Sequence, residues 1–480
     1  MKKIFLLIFF FSITIQSQLH VNNIDIRLNS NRDIFQIIDQ ENQKVNLFLS
    51  DKYKVNSFIL DNQMKTLDTL SGIRPEKKYK DILGYSGNLY NPVIYWSDKQ
   101  KNKIVSQTFN FKEKRCYSKE FDIKIKEKGE VFLEQFTENN KFYILVLSEK
   151  NNLKLYCLYN ESIVEKEFDL SKTNNENESI NISSIFDKSS FDLSFEEPKT
   201  IKKIVSDFPV SLSESAKRRK LYTKKNQLVL TFDVSNEFTD LIFINLDNFL
   251  YTLKKIQKPT IDNIKLDNIK SNSFILENNI AQIIVCSKQL ILSVKDLDGN
   301  KINEYIIHDT DDFKINNTPF LRQSNGFERE LETTSQFLRK IVRSNFGISL
   351  YKLNGKIIGK IGCISAVANT GFMAPVNMPV GGGTFNTPAG NVTIQPINHN
   401  FNSFSNYSSK RGIFTDCLFN NEFIHEIGKI DDLAYDKIDK FKQSLEKSIY
   451  SETVFKIFNN YIFGYYDESI NMYKFYKFSE

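Results

Sequence analysis

The chain has 480 residues, 41% of them hydrophobic, with 41 Phe and 21 Tyr; that exceeds a usual single domain unless the fold is a repeat array or a large barrel. Its formal net charge is only +6, with 64 Lys and Arg spread among 58 acids, so no nucleic-acid footprint is indicated. The five cysteines (Cys116, Cys157, Cys286, Cys363 and Cys417) form no CxxC pair, which argues against a disulfide framework or a structural zinc site.

The chain opens MKKIFLLIFFFSITIQSQ, two lysines before an apolar run and then a polar stretch with Ser17 ahead of Gln18. This is the layout of a secretory signal peptide over residues 1–17, too short and wrongly flanked for a permanent membrane helix. The expectation is an exported protein, periplasmic or extracellular, with no transmembrane segment after cleavage. The Lys-, Asn- and Ile-rich usage beside this leader points to a Gram-negative bacterium.

A repeat comes next. VNLFLSDKYKVNSFIL (45–60), PVIYWSDKQKNKIVSQTF (92–109) and FYILVLSEKNNLKLYCLY (142–159) each read apolar strand, Ser, acid, Lys, turn, second strand. Their serines, Ser50, Ser97 and Ser148, are 47 and 51 residues apart. Strand-like runs flank each copy, giving about four strands per unit. Residues 171–220, rich in Ser, Asn, Glu and Lys, break the rhythm and read as an insert. Within it Lys217-Arg218-Arg219-Lys220 reads as a solvated basic loop.

LVLTFDVSNEFTDLIFINL (228–246) resumes the pattern, and AQIIVCSKQLILSVKDLDGNK (281–301) is a weaker copy. Asp296 and Asp298 precede Gly299 as in the middle of a calcium loop, but Val294 and Tyr305 stand where two oxygen ligands are needed. Asp309 and Asp311 come after His308 in an acidic turn. These four aspartates are the candidate calcium ligands, with hairpin and acidic turns as the plainer reading; no other cofactor is expected. A short helix within Phe327–Arg343 is compatible with the pattern. ISLYKLNGKIIGKIG (348–362) carries Asn354-Gly355 between apolar strands, a strong hairpin signal.

From Ile361 to Ser409 no Asp, Glu, Lys or Arg occurs for 49 residues. GFMAPVNMPVGGGTFNTPAG inside it fails as a phosphate loop, since Thr384 and Phe385 succeed Gly383, and as GxGxxG, since Asn386 takes the last position. Pro375, Pro379 and Pro388 exclude a membrane helix. An insert at 361–410 within a late unit is the reading, with Phe372, Met373, Met378 and Phe385 as apolar anchors for the scaffold or a partner. His425-Glu426 fails as HExxH because Lys429 holds the second histidine position. Gly84-Tyr85-Ser86-Gly87 fails as GxSxG. DDLAYDKIDKFKQSLEKSI (431–449) predicts one amphipathic helix, capped by Asp431 or Asp432, with Asp436–Lys440 and Lys442–Glu446 pairs on a solvated face. YIFGYYDESINMYKFYKF (461–478) closes the chain as strand, acidic turn, strand.

Four-stranded antiparallel units at this period resemble a secreted bacterial β-propeller-type repeat protein, in architecture only, with no WD40 or kelch signature. The resemblance implies an all-β fold of about six to eight blades as a single domain over residues 18–480. A first strand within Leu19–Leu28 would pair into the last blade. A β-sandwich or two β domains are the alternatives. The functional expectation is a monomeric, non-enzymatic binding or scaffold module of the cell envelope, whose partner is an envelope or extracellular protein or a glycan. A propeller-fold glycosidase or lyase is the alternative, signalled by a pocket with two acids and aromatic walls.

Overall fold

The computed structural model describes residues 18–480 apart from 31, 124, 126–127, 151, 160, 171–179, 187–198, 262–268, 325–326, 365–383, 388–389, 394–398, 409–411 and 446–447. The expected signal peptide lies outside the described residues. Among these, seven sheets of four or five strands succeed one another along the chain, beside a small two-stranded ribbon of Thr384–Thr387 with Gly390–Thr393.

The first sheet comprises Asp33–Asp39, Lys44–Ser50, Lys54–Leu60 and Thr66–Ile73; the second Asp81–Ser86, Val93–Ser97, Ile104–Asn110 and Arg115–Phe121. The third comprises Val131–Glu138, Lys141–Leu147, Leu153–Tyr159 and Ser162–Phe168, and the fifth Lys270–Leu276, Asn279–Val285, Gln289–Asp296 and Lys301–His308. All four are antiparallel meanders. The fourth meander, Arg219–Lys224, Gln227–Phe232, Phe238–Asn245 and Tyr251–Gln257, gains a short parallel strand, Lys202–Lys203. The sixth departs from sequence order: beside Asn345–Leu353, Lys356–Ile364 and Gly412–Phe419 lies the upstream hairpin Phe320–Ser324 and Phe327–Leu331. The charge-free stretch therefore begins in the second strand of the sixth sheet and spans its link to the third. The seventh sheet takes Tyr450–Ile457, Asn460–Asp467 and Met472–Ser479 and is completed by Gln18–Asp25, paired antiparallel to the last strand. The expected chain-closing strand is present.

Strand periodicity explains why the sheets stack. Successive side chains of a strand point to opposite faces, and central strands here are apolar on both. In the third sheet Phe142, Ile144 and Val146 pack on the second sheet, while Tyr143, Leu145 and Leu147 pack on the fourth. In the first, Val45, Leu47 and Leu49 meet Phe455, Ile462 and Phe475 of the seventh, and Phe48 faces Trp96 and Phe109 of the second. Each of these fully buried side chains is worth about 1.5–3 kcal/mol. The outermost strands, such as Ser162–Phe168, are largely exposed. This all-β, propeller-like order of face-packed sheets displaces the sandwich alternative.

The repeated Ser-acid unit is the turn between second and third strands. Asp51 Oδ1 accepts from the amides of Tyr53 and Lys54, and Asp98 Oδ1 from those of Asn102 and Lys103. Such short side chains bond their own backbone and define the turn. Asn354 and Gly355 take φ 51° and 76°, as a two-residue hairpin turn requires.

The helical expectation is corrected. Five helices occur among the described residues: α1 (Ile182–Ile185), α2 (Leu212–Ser215), α3 (Thr334–Ile341), α4 (His399–Ser408) and α5 (Ala434–Gln443). Only 334–341 of the expected 327–343 segment is helical, because Phe327–Leu331 joins the sixth sheet as an edge strand. Helix α5 starts after Leu433, and its first turn is held by Asp436 Oδ2 accepting from Leu433 N at 3.1 Å rather than by Asp431 or Asp432. Lys440 pairs with Asp432, and Lys442 with Glu452.

The basic run is corrected too. Arg219 is 1% and Lys220 0% exposed. Asp233 sits at the second-to-third-strand turn of the fourth sheet. It accepts from Lys220 Nζ (3.1 Å), Lys258 Nζ (3.0 Å), Thr239 Oγ1 (2.9 Å), and Ser273 N and Oγ (3.0 and 2.8 Å). Lys258 also reaches Ser235 O and Ser271 Oγ, and Lys220 reaches Lys217 O and Asn272 Oδ1. Each ammonium thus has three acceptors, which is what makes burying it tolerable. The two lysines hold Asp233 well below the usual carboxylate range, and burial lowers Lys258.

Candidate functional site

The sixth and seventh sheets do not meet face to face as the others do. One face of the sixth is apolar and packs on the fifth through Ile348, Leu350, Ile357 and Ile361. The alternating positions of the same strands present Ser349, Tyr351, Lys360 and Asp416 instead, into a cavity of about 230 Å³. Three chain segments cover the opposite side. Residues 209–213 lead into α2, α4 supplies Asn406 and Tyr407, and residues 430–436 lead into α5. The seventh sheet meets these helices through Val454, Tyr461 and Phe463, with Phe404, Tyr435, Ile438 and Phe441 opposite.

The polar groups are arranged by specific bonds. Lys360 Nζ lies 2.6 Å from Asp416 Oδ1 on the neighbouring strand and 4.1 Å from the centroid of the Phe414 ring. Thr318 Oγ1 accepts from Asp416 N, and Thr415 Oγ1 donates to Thr318 O, both at 2.8 Å, which ties the upstream hairpin to the sheet. Across the cavity Tyr407 Oη donates to Asp436 Oδ2 at 3.1 Å, and burial raises this phenol far above its ordinary value. Tyr351 Oη bonds Glu480 Oε1 (2.6 Å) and Tyr461 Oη (2.8 Å), while Glu480 Oε2 accepts from Ala434 N at the start of α5. Gln323 donates to Glu328, and its Oε1 is buried without a hydrogen-bond partner. Among the described residues the lining brings Asp416, Asp431, Asp432 and Asp436 together with one cation, Lys360, and the phenols Tyr351 and Tyr407.

The four aspartates singled out from sequence lie elsewhere. Phe372, Met373 and Met378 fall outside the described residues; Phe385 is in the ribbon, opposite Val392. Asp296 and Asp298 sit at one end of the Gln289–His308 hairpin and Asp309 and Asp311 at the other, so the two pairs are not brought together. Asp296 accepts from the amides of Asp298 and Asn300, Asp298 pairs with Lys254, and Asp309 with Lys288. Among the described residues no group of three His, Cys, Asp or Glu is placed to hold a metal ion. The five cysteines are unpaired, and all but half-buried Cys116 are buried. No described helix is long and apolar enough to cross a membrane.

Sequence reasoning missed the cavity residues because they come from seven separate stretches of the chain. One signal was present: Lys360 and Asp416 are charges in the middle of largely apolar strands. A charge in the middle of such a strand must meet a partner or a polar cavity.

No protein-family profile matches the chain, and no curated protein sequence does. Among solved structures, the WD40 domain of SCAP from fission yeast aligns over 95% of this chain and 98% of its own, at 10% identity and TM-score 0.27. The β-propeller domain of Cps50 (Swd1) from Myceliophteria thermophila aligns over 71% of this chain and 95% of its own, at 10% identity and TM-score 0.26. The SapL1 lectin, in complex with alpha methyl fucoside, aligns over 78% and 97%, at 10% identity and TM-score 0.23. Likenesses this low carry no argument about fold or function, so the propeller-like description rests on the chain's own strand order and sheet packing.

Proposed function

We propose that the protein is an exported binding module whose ligand, a small polyhydroxylated molecule such as one sugar unit, seats in the cavity between the sixth and seventh sheets. The observation that carries this reading is the polar face of the sixth sheet, turned inward under three covering segments. Beyond the bonds they make to one another, these carboxylates, phenols and Lys360 keep further donor and acceptor capacity that a bound polar molecule can use. Hydroxyl groups both donate and accept. The lining offers carboxylates as acceptors, Lys360 and Asn406 as donors, and phenol rings for the apolar faces of a sugar. The volume lies below the roughly 300–1,000 Å³ of pockets for drug-sized ligands, which favours a single small ring. Export is supported by the leader pattern at 1–17; cleavage after Ser17 leaves the ring-closing strand intact.

The test is a thermal-shift and calorimetric screen of neutral, amino and acidic monosaccharides, with the double variant Lys360→Met, Asp416→Leu as control. A neutral sugar is expected to raise the melting temperature of the parent protein and to lose at least about tenfold in affinity in the variant, about 1.4 kcal/mol. A screen without a binder, or equal binding by the variant, overturns the reading. The second reading, glycoside cleavage, is favoured by one feature: Asp416 and Asp436 reach the cavity from opposite walls, as paired carboxylates must. Turnover of aryl glycosides that Asp436→Asn abolishes would establish it in place of simple binding.

A further inference from the structure

A second, larger cavity of about 990 Å³ opens at the end of the sheets where first and second strands turn. The segment 205–208 lines it, and Phe208, Tyr222, Val229 and Ile275 give it apolar surface. Four lysines line it (Lys224, Lys225, Lys352 and Lys456) against two acids, Asp207 and Glu277, the latter engaged by Lys352. The lysines stand on the turns or strands of the fourth, sixth and seventh sheets, so the lining carries more positive than negative charge.

Phe458 occupies the two-residue turn of the seventh sheet at this rim. It has φ 53° and is 53% exposed. That backbone region favours Asn or Gly, as at Asn354-Gly355 in the sixth sheet, and a bulky aromatic there is an outlier. The turn is held from the first sheet, where Gln40 Oε1 accepts from Phe458 N (3.0 Å) and Gln40 Nε2 donates to Lys456 O (2.8 Å). Phe249 and Phe423 take the same backbone region (φ 58° and 59°), so what sets Phe458 apart is its exposure at the rim of this cavity.

We propose that this axial mouth is a docking site for an acidic, aromatic-containing peptide segment of a partner protein. An apolar side chain of the peptide enters the cavity against Phe458, and its carboxylates meet the separate lysines. Charge complementarity selects an anionic partner, and the spacing of the lysines on three sheets suits an extended chain rather than one compact ion.

The probe is a fluorescein-labelled heptapeptide of alternating Glu and Phe, read by polarisation against Lys/Phe and Glu/Ser heptapeptides. Saturable binding of the Glu/Phe peptide alone is expected, weakening as salt is raised. Phe458→Asn, which suits the turn, is expected to keep or raise the melting temperature while costing at least about tenfold in affinity; Lys225→Gln with Lys456→Gln weakens binding similarly. Unchanged affinity in Phe458→Asn, equal binding of the Lys/Phe peptide, or no saturable binding of the Glu/Phe peptide overturns the proposal. The outcome is independent of whether a sugar binds the other cavity.

Discussion

Asp81, first residue of the second sheet's inner strand, is 1% exposed, and its Oδ1 is buried without a hydrogen-bond partner. Burial is the largest influence on it, with Asp33 and Asp98 adding repulsion and Lys101 and Lys80 opposing; its pKa is pushed up to about 7. The unfolded chain releases this proton near pH 4. The folded state therefore holds more protons between about pH 4 and 7, and stability from this group falls as pH rises through that window. Asp81→Asn removes the penalty: urea melts are expected to show it about 1–3 kcal/mol more stable than the parent at pH 8, with the gap closing toward pH 4. A constant gap across that range would refute the assignment. Asp233 shows the opposite design, a carboxylate kept charged by five donors. Neither was legible in the sequence, since Asp81 and Asp233 look like any other acid at a strand end.

At the scale of elements, the segment from Ile204 to Ala216 leaves the fourth sheet and reaches the sixth and seventh. Phe208 stacks near Tyr435 and Tyr461, and α2 lies on the sixth sheet. Residues 205–208 line the axial cavity and 209–213 the other, so this one strand-free stretch separates the two. Its seat on the sixth sheet needs Gly347, where an added Cβ would stand 2.6 Å from Ala216 Cα. Gly347→Val is expected to displace α2, costing about 1–3 kcal/mol in chemical denaturation and reducing ligand binding in the cavity that α2 covers. Full stability with full binding would show that α2 is not seated by this contact. Composition placed this region in a polar insert, because its Ser, Asp and Glu residues mask Ile204, Phe208, Val210 and Leu212, all buried. The α5 stripe was readable because Ile438 and Phe441 recur at helical spacing. Its cap was not, since that depends on how the Asp436 side chain turns back to the Leu433 amide.

For the whole molecule, closure rests on the strand Gln18–Asp25. It pairs along the last strand and, with the loop after it, buries Ile24 and Leu28 between the first and seventh sheets. A chain beginning at Asp33 is expected to lose about 4 kcal/mol or more, from two buried aliphatic side chains and an exposed strand edge, measured by urea unfolding. Restoration by the separate peptide 18–30 would confirm that closure, and not processing, is the cause. The strand repeat, the closing strand and the hairpin at Asn354-Gly355 were all set by the sequence itself. Each rests on period-two hydrophobicity or on turn residues whose backbone preferences are local. The cavity between the sixth and seventh sheets, the buried lysines around Asp233 and the course of the segment from Ile204 to Ala216 were decided only by tertiary structure. Their meaning depends on which distant groups share a low-dielectric space, and local pattern carries no record of that.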